Sequence, residues 1–443
     1  MNNVLNIVHC IDTEGPLNES IEDSFVRLFE YFDIRLKPTK ENFSLLFNSK
    51  LDKTYGKKIS RIFNSKTLNY NRTLKELKLS LNKTLSTKFR SSLRDDFDNP
   101  WIYSWFCVAH KDCDHNPRSK MLGTHAIFDL YNKLKDLNDD IQFHYHPLSY
   151  SKDSSDCATG WLYGRTNLVD ILARRLIDRN WFPSVNRPGF HVTRPDSHWF
   201  LEQFIPFDFA NQKQSGKKLK NLSEKHLSDW SRAPNSWVPY HPRHDDWQRI
   251  GDSRRVIGRC LNIGTRHSLL RKKDVEQAFQ EVRDNKRAIL AFTNHDFRDM
   301  SLDIEETYQL IRTVQSENYR DIKIKYIKAS DAIRFYKGTK SYSIKLEALL
   351  DQETGLLSIN SDKNTFGIQP FFAYLSKSNH YYHDNLQIIK PYRKWIYLFD
   401  KTNIKIKDLK KIAIATNSSS GVTTIILCEQ IMDGKWRSIY LNN

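Results

Sequence analysis

The sequence predicts an α/β fold, parallel βα units wound into a sheet or a (β/α) barrel and carrying a helical basic insertion, followed by a C-terminal all-β domain. Three observations carry this expectation. Apolar, strand-like runs alternate with helix-periodic segments up to Lys337, the pattern of parallel βα units. Asp12, His144, Arg187 and His295 fall at or just beyond the ends of those runs, where such folds place their chemistry. Beyond about Gly338 the apolar pattern turns to period two, broken by Asn, Asp, Gly and Ser turns.

In chain order, the first strand runs Val4 to Ile11 and ends in Asp12-Thr13-Glu14-Gly15-Pro16, where Gly and Pro stop it. Residues 17–98 read as a mostly helical insertion. Trp101 to Ala109 reads as a buried strand, leading through a polar loop at Asn116-Pro117-Arg118 into a helix from His125 to Leu137. A strand from Ile141 to His146 is stopped by Pro147. Leu168 to Asp178 is apolar at i, i+3 and i+4, so it reads as a helix. Ser184 to Val192 reads as strand and turn, Asp196 to Phe204 as a helix, and Phe207-Asp208-Phe209 as a strand. Helix Lys273 to Asp284, strand Ala288 to Thr293, helix Ile304 to Gln315 and strand Ile322 to Ile327 complete the sheet or barrel over residues 1–337. Residues 338–443 read as a sandwich-like accessory domain with strands at Ser341 to Leu346, Leu356 to Ile359, Phe371 to Leu375, Trp395 to Phe399, Lys411 to Ala415, Val422 to Cys428 and Trp436 to Leu441. It is expected to fold alone and to assist substrate or partner binding.

With 443 residues and 39% apolar content, the chain is long and apolar enough for a large domain plus a smaller one. No run approaches a membrane span. The start, Met-Asn-Asn-Val-Leu-Asn-Ile-Val, lacks the features of a signal peptide, which points to a cytoplasmic protein. Cys10, Cys107, Cys113, Cys157, Cys260 and Cys428 are scattered and read as reduced thiols. The group Cys107, His110, Cys113 and His115 matches no usual zinc spacing, and no metal is assigned to it. The net charge of +17 is uneven: Arg35 to Arg94 holds 16 Lys and Arg against Glu41, Asp52 and Glu76. The simpler reading is an amphipathic insertion with a solvated basic face, its apolar side given by Leu74, Leu77, Leu81 and Leu85. The sharper reading is a landing surface over residues 35–94 for an anionic partner: a nucleotide-sugar, a lipid diphosphate, an acidic membrane at the inner face or nucleic acid. No nucleic-acid motif is present, so specific nucleic-acid binding is not expected.

Asp12 and Glu14 are two apart on an extended segment, so both carboxylates face one side. One could serve as general base while the other holds a metal, or both could simply cap a loop. In Phe143-His144-Tyr145-His146-Pro147 the same alternation puts both imidazoles on one face, which suits zinc or another divalent ion. An incidental aromatic-rich strand is the plainer alternative. His295 follows the apolar run Ala288 to Phe292 and should project from the rim; Asp296 or another carboxylate could raise its pKa enough for a general acid. It could equally cap the next helix. Arg187 could orient a carboxylate or bind substrate through its planar fork. The run from Tyr240 to Trp247 is polar and aromatic, and His244, Asp245 and a sugar-stacking Trp237 or Trp247 are further candidates, although a Trp is more often core.

Taken in order, these motifs resemble the polysaccharide deacetylase, or NodB-homology, family. The resemblance spans Val4 to about Arg334, interrupted by the insertion: an acidic pair ending a strand, a His pair, the Arg187-Pro188-Gly189 turn before a helix, the Phe207-Asp208-Phe209 strand, and a late strand ending in His295. The His-x-His-Pro and Asn-His-Asp-Phe-Arg signatures look more narrowly like the WbmS-type deacetylase-like proteins of O-antigen clusters. The resemblance implies a barrel of the deacetylase type. It implies Asp12 as base, Glu14, His144 and His146 as ligands of a divalent metal, zinc first, Arg187 as orienter and His295 as general acid. The reaction implied is removal of an acyl group from a sugar, nucleotide- or lipid-linked, in bacterial surface-polysaccharide synthesis. Two rivals stand beside it: a catalytically inactive sugar-binding protein on the same fold, and a basic, membrane-associated assembly factor.

Overall fold

A computed structural model of the chain describes residues 3–17, 19–57, 59–61, 63–108, 125–133, 138–146, 161, 165–214, 229–264, 269–431 and 435–442. β1 (Val4–Thr13) opens the fold. The insertion follows as α1 (Ile21–Phe32), α2 (Lys40–Phe47), α3 (Leu51–Tyr55), α4 (Ser65–Leu68), α5 (Leu74–Leu85) and α6 (Thr87–Ser91). Next come β2 (Ser104–Val108), α7 (Ala126–Asn132), β3 (Asp140–Tyr145), α8 (Arg165–Arg179), β4 (Val185–Pro188), α9 (Pro195–Phe204) and β5 (Phe207–Asn211). The barrel part ends with β6 (Val256–Arg259), β7 (Leu261–Asn262), α10 (Lys272–Arg283), β8 (Ile289–His295), α11 (Ser301–Asn318), β9 (Lys323–Tyr326) and α12 (Ala329–Lys337).

Among the described residues these strands form one nine-stranded sheet in the order β6-β5-β4-β3-β2-β1-β8-β7, with β9 added to β1. Every named pairing in it is parallel. Only Cys260 separates β6 from β7, yet β6 pairs with β5 and β7 with β8. One kinked stretch thus brings the two ends of the sheet together, and the sheet is a nearly closed barrel with helices around it. Alternation along each strand sorts the side chains. Val8, Cys10, Phe106, Val185, Phe207, Phe209, Ile289 and Ala291 fill the inside, which Ala329, Ala332 and Ile333 of α12 also help to pack. Ile7, Ile11, Trp105, Phe143, Tyr145, Leu290 and Phe292 face outward into the core made with the helices.

The insertion has its own small core of Phe25, Leu28, Ile34, Leu46, Leu51, Ile59, Phe63 and Leu68. Its helices start on local signals: Ser20 and Asp23 form a capping box on α1, Thr73 and Glu76 another on α5. Leu77 and Leu81 of α5 join the main core, as the i, i+4 spacing predicts. Asn71 ties the insertion to the barrel. Its N–H donates to the Phe297 carbonyl (2.7 Å), its carbonyl accepts from Leu17 N–H (2.8 Å), and its side-chain amide donates to the Asp296 carbonyl (3.1 Å).

The C-terminal part comprises β10 (Leu346–Leu350), β11 (Leu356–Ser361), β12 (Phe371–Ser376), β13 (Tyr381–Asp384), β14 (Gln387–Lys390), β15 (Lys394–Leu398), β16 (Leu409–Asn417), β17 (Thr423–Gln430) and β18 (Trp436–Asn442). They make two antiparallel sheets, β10-β11-β15-β14 and β13-β12-β16-β17-β18. Leu357, Ile359, Phe372, Trp395, Ile412, Ile414 and Ile426 pack between them. The C-terminal part also shares a core with the barrel. The other face of the five-stranded sheet, with Phe371, Ala373, Ala415 and Ile425, belongs to the barrel's own core. Phe371 meets Phe182 (5.2 Å between ring centres) and Phe204 (5.5 Å). The Asn417 amide donates to the carbonyls of Pro183 (2.8 Å) and Phe204 (2.9 Å).

Candidate metal centre and active site

Strand register assembles the site. Asp12 lies beside His295 across the β1–β8 ladder, and His144 beside Arg187 across β3–β4. These residues share the inward parity of Cys10, so all four project to the inside at the strands' C-terminal ends. Glu14 follows β1, and Gly15 then turns the chain with φ of 78°, a left-handed conformation that a side chain would strain. The Gly15 N–H donates to Asp296 Oδ1 (3.0 Å), and the Tyr131 hydroxyl donates to Asp296 Oδ2 (2.7 Å). Asp296 is fully buried, and burial pushes its pKa up to about 7 against these hydrogen bonds. It couples the exits of β1 and β8 and so sets where Glu14 projects.

Glu14, His144 and His146 each offer a ligand atom, all within 4.8 Å of one another. Among the described residues they form the one such group able to hold a metal ion. His144 Nε2 and His146 Nε2 are 2.9 Å apart, and Glu14 Oε1 lies 3.3 Å from His146 Nε2 and 3.8 Å from His144 Nε2. A tetrahedral ion with ligands at about 2.0–2.1 Å has ligand–ligand edges of roughly 3.3 Å, which these separations bracket. His144 Nδ1 bonds the Arg187 carbonyl (2.7 Å), so its Nε2 keeps a lone pair directed at the group. Gly189 has to be glycine because a Cβ there would lie 2.5 Å from the His146 ring. The donor chemistry and spacing therefore fit a divalent cation.

Burial alone would raise the Glu14 carboxyl, but the neighbouring imidazoles of His144, His146 and His295 outweigh it and hold it well below the usual carboxylate range. For His144, burial works against the charged form, yet Asp12 and Glu14 raise its pKa above the ordinary value. Asp12 is 2% exposed, and its partner Arg187 is fully buried. Arg187 Nε donates to both Asp12 oxygens (2.7 and 3.0 Å), Nη1 to the Phe209 carbonyl (2.9 Å) and Nη2 to His191 Nε2 (3.2 Å). His191 reaches this position from a turn in which it and Phe190 are both left-handed, with φ of 54° and 51°. His295 Nε2 lies 3.6 Å from Glu14 Oε1 and 3.8 Å from Asp12 Oδ2, its ring stacked on Phe297. The expected rise in its pKa is not found. Burial lowers it more than Glu14 and Asp12 raise it, and both Asp296 oxygens are engaged by Gly15 and Tyr131 instead.

Comparison with family models, curated proteins and solved structures finds no match to this chain.

The remaining sequence candidates do not join the site. Trp237 is fully buried, its indole N–H donating to the Asp274 carbonyl (2.7 Å) and the Arg259 guanidinium lying 4.3 Å over its ring. It is a core residue and offers no stacking face to a sugar. His244 is exposed and bonds Glu202 (2.8 Å), while Asp245 pairs with Arg243 (2.9 Å). Trp247 is half-buried against the small cluster of Trp230, Tyr240 and Ile257. Glu202 lies in the last turn of α9 and also accepts from Arg254 N–H (3.1 Å), just before β6 begins. This segment therefore sits where the strands start, at the end of the barrel opposite Asp12.

Tyr131, Asp296 and His191 were not singled out by the sequence for these roles. Tyr131 and Asp296 are 165 positions apart, and no local pattern announces their contact. Cys10, Cys107, Cys260 and Cys428 are buried; His110, Cys113, His115 and Cys157 lie outside the described residues. Among the described residues no helix is long and apolar enough to cross a membrane.

Proposed function

We propose that the protein is a metal-dependent deacetylase of the polysaccharide deacetylase type, removing an acyl group from a nucleotide- or lipid-linked sugar during bacterial surface-polysaccharide synthesis. One observation carries this reading. A carboxylate and two imidazoles at metal-ligand spacing share the C-terminal strand ends with an Arg-held carboxylate, Asp12, and a half-buried histidine, His295. Zinc held by Glu14, His144 and His146 would supply Lewis-acid polarisation of the acyl carbonyl. Arg187 holds the Asp12 carboxylate in place through both of its oxygens, and Asp12 takes the proton of the attacking water. The water oxygen adds to the carbonyl carbon, the carbon–nitrogen bond breaks, and the amine leaves with a proton from His295. His295 is held below its ordinary pKa, so it gains that proton during the reaction, and Asp12 Oδ2 at 3.8 Å is a near source.

The test is single-turnover acetate release from UDP-linked and lipid-linked N-acetylated amino sugars, with metal content measured beside it. Asp12→Asn and His295→Gln should each keep metal and fold while losing on the order of 10²-fold or more in turnover, with substrate binding nearly unchanged. If both variants turn over like the parent, the assignment of base and acid fails. If the parent cleaves none of these substrates, the reading as a sugar-binding protein takes its place.

A further inference from the structure

We propose that the helical insertion between β1 and β2 is a docking surface for an anionic lipid bilayer, carried beside the mouth of the site. Residues 34–72 hold ten Lys and Arg against two acids, Glu41 and Asp52. Both Asp52 oxygens are occupied locally by Ser60, through its backbone N–H (2.8 Å) and its hydroxyl. Arg35, Lys37, Lys40, Lys50, Lys53 and Lys57 are all exposed. None of these six forms an ion pair with a carboxylate among the described residues; Lys57 donates to the Phe32 carbonyl and Arg35 lies over the Phe29 ring, while Lys37, Lys40, Lys50 and Lys53 direct their charge to solvent.

Large apolar side chains are exposed on the same insertion: Val26 at 55%, Leu45 at 39%, Tyr55 at 37% and Phe29 at 36%. Val26 and Phe29 are three apart on α1 and share a face, and the Arg35 guanidinium lies 4.7 Å over the Phe29 ring. The insertion already has a closed core of its own, so these side chains are not needed to hold it together. Exposed cations carried on the same insertion as exposed aliphatic and aromatic groups match a headgroup layer, which takes charge at its surface and apolar tips below it. A nucleic acid would use the cations but has no use for Val26 and Leu45. The placement is fixed by Asn71, which bonds Phe297 and Asp296 next to His295, and by the Tyr70 ring on Phe297 (5.7 Å).

Co-sedimentation of the full chain with vesicles tests this, using phosphatidylcholine alone and phosphatidylcholine with about 30 mol% phosphatidylglycerol. The parent should bind only the anionic vesicles, and less as salt rises. Reversing Lys37, Lys40, Lys50 and Lys53 to Glu should weaken partitioning by at least about 100-fold. Lys40 and Lys50 stand at helix starts, where an acid is favourable, so the variant should fold and unfold thermally like the parent. V26S/F29S, which leaves the charges in place, should weaken binding by a smaller factor that persists at high salt. A control reversing Lys401, Lys405 and Lys407 on the C-terminal part should bind as the parent does. The proposal is overturned if the parent ignores anionic vesicles, if the control loses as much as the insertion variant, or if both insertion variants bind unchanged. Binding to RNA through the same lysines without vesicle binding would also overturn it.

Discussion

Arg187→Met isolates the interaction that organises the site. The side chain is fully buried and gives its Nε to both oxygens of Asp12, which is 2% exposed. Burial alone would lower the arginine's pKa, and Asp12 more than reverses that, so the pair is strongly coupled. Methionine fills much of the stem volume but removes the charge and every N–H. Asp12 then keeps His144 Nδ1 at 3.7 Å and His295 Nε2 at 3.8 Å as its nearest cationic candidates, both too far for hydrogen bonds. An unpaired buried carboxylate costs about 3–5 kcal/mol. Urea unfolding of chelator-treated protein should show a loss of that size for Arg187→Met. The double variant with Asp12→Asn should lose less than Arg187→Met alone, because the orphaned charge is gone. The reasoning fails if Arg187→Met unfolds like the parent, or if the double variant simply adds the two single losses.

Tyr131→Phe removes the hydroxyl that holds Asp296, and the Glu14 turn should loosen. Zinc affinity, measured by titration, should fall about tenfold while the unfolding transition stays cooperative, and unchanged affinity would deny Asp296 its positioning role. His9 is buried between Trp101 and Asn294, and burial lowers its pKa from 6.5 to about 3 despite the Asn294 hydrogen bond. The unfolded chain binds this proton more readily, so His9 contributes stability above pH 6.5 that is lost as pH falls towards 3, up to roughly 5 kcal/mol. His9→Gln should flatten the pH dependence of unfolding between pH 6.5 and 4, and an unaltered slope would contradict the assignment. Residues 1–337 alone would expose Phe182 and Phe204, which Phe371 covers, and should aggregate or unfold readily. A monomer with the parent's thermal midpoint would refute the shared core.

β1 and β8 were legible because both are long and buried on both faces. Asp12, His144, Arg187 and His295 stand at strand ends, and parity alone places them on the inner side. β6 and β7 escaped notice because Val256–Arg259 and Leu261–Asn262 are short and broken by arginine, Gly258 and the kink at Cys260. Gly258 is needed there, since a Cβ would lie 2.9 Å from the Phe209 ring. α12 was missed as well, and its buried Ala329, Ala332 and Ile333 are too few to announce a helix. In the C-terminal part, β13 and β14 are exposed short strands without apolar alternation, and the first strand is Leu346–Leu350 rather than Ser341 to Leu346. Tryptophan gave no guide to function. Trp237 looks like a sugar platform in sequence and is core in three dimensions, because burial depends on α10 and β8 closing over it.

The account stands most directly on whether this site hydrolyses an acyl sugar only when it holds a metal. The decisive measurement is acetate release from N-acetylated UDP- and lipid-linked amino sugars by chelator-treated full-length protein, before and after zinc is restored. Release should be absent in the stripped protein, return with zinc, and fail to return in the His144→Ala/His146→Ala variant. Release that persists after chelation, or that zinc restores equally in the double variant, would contradict the assignment of Glu14, His144 and His146 as the metal centre.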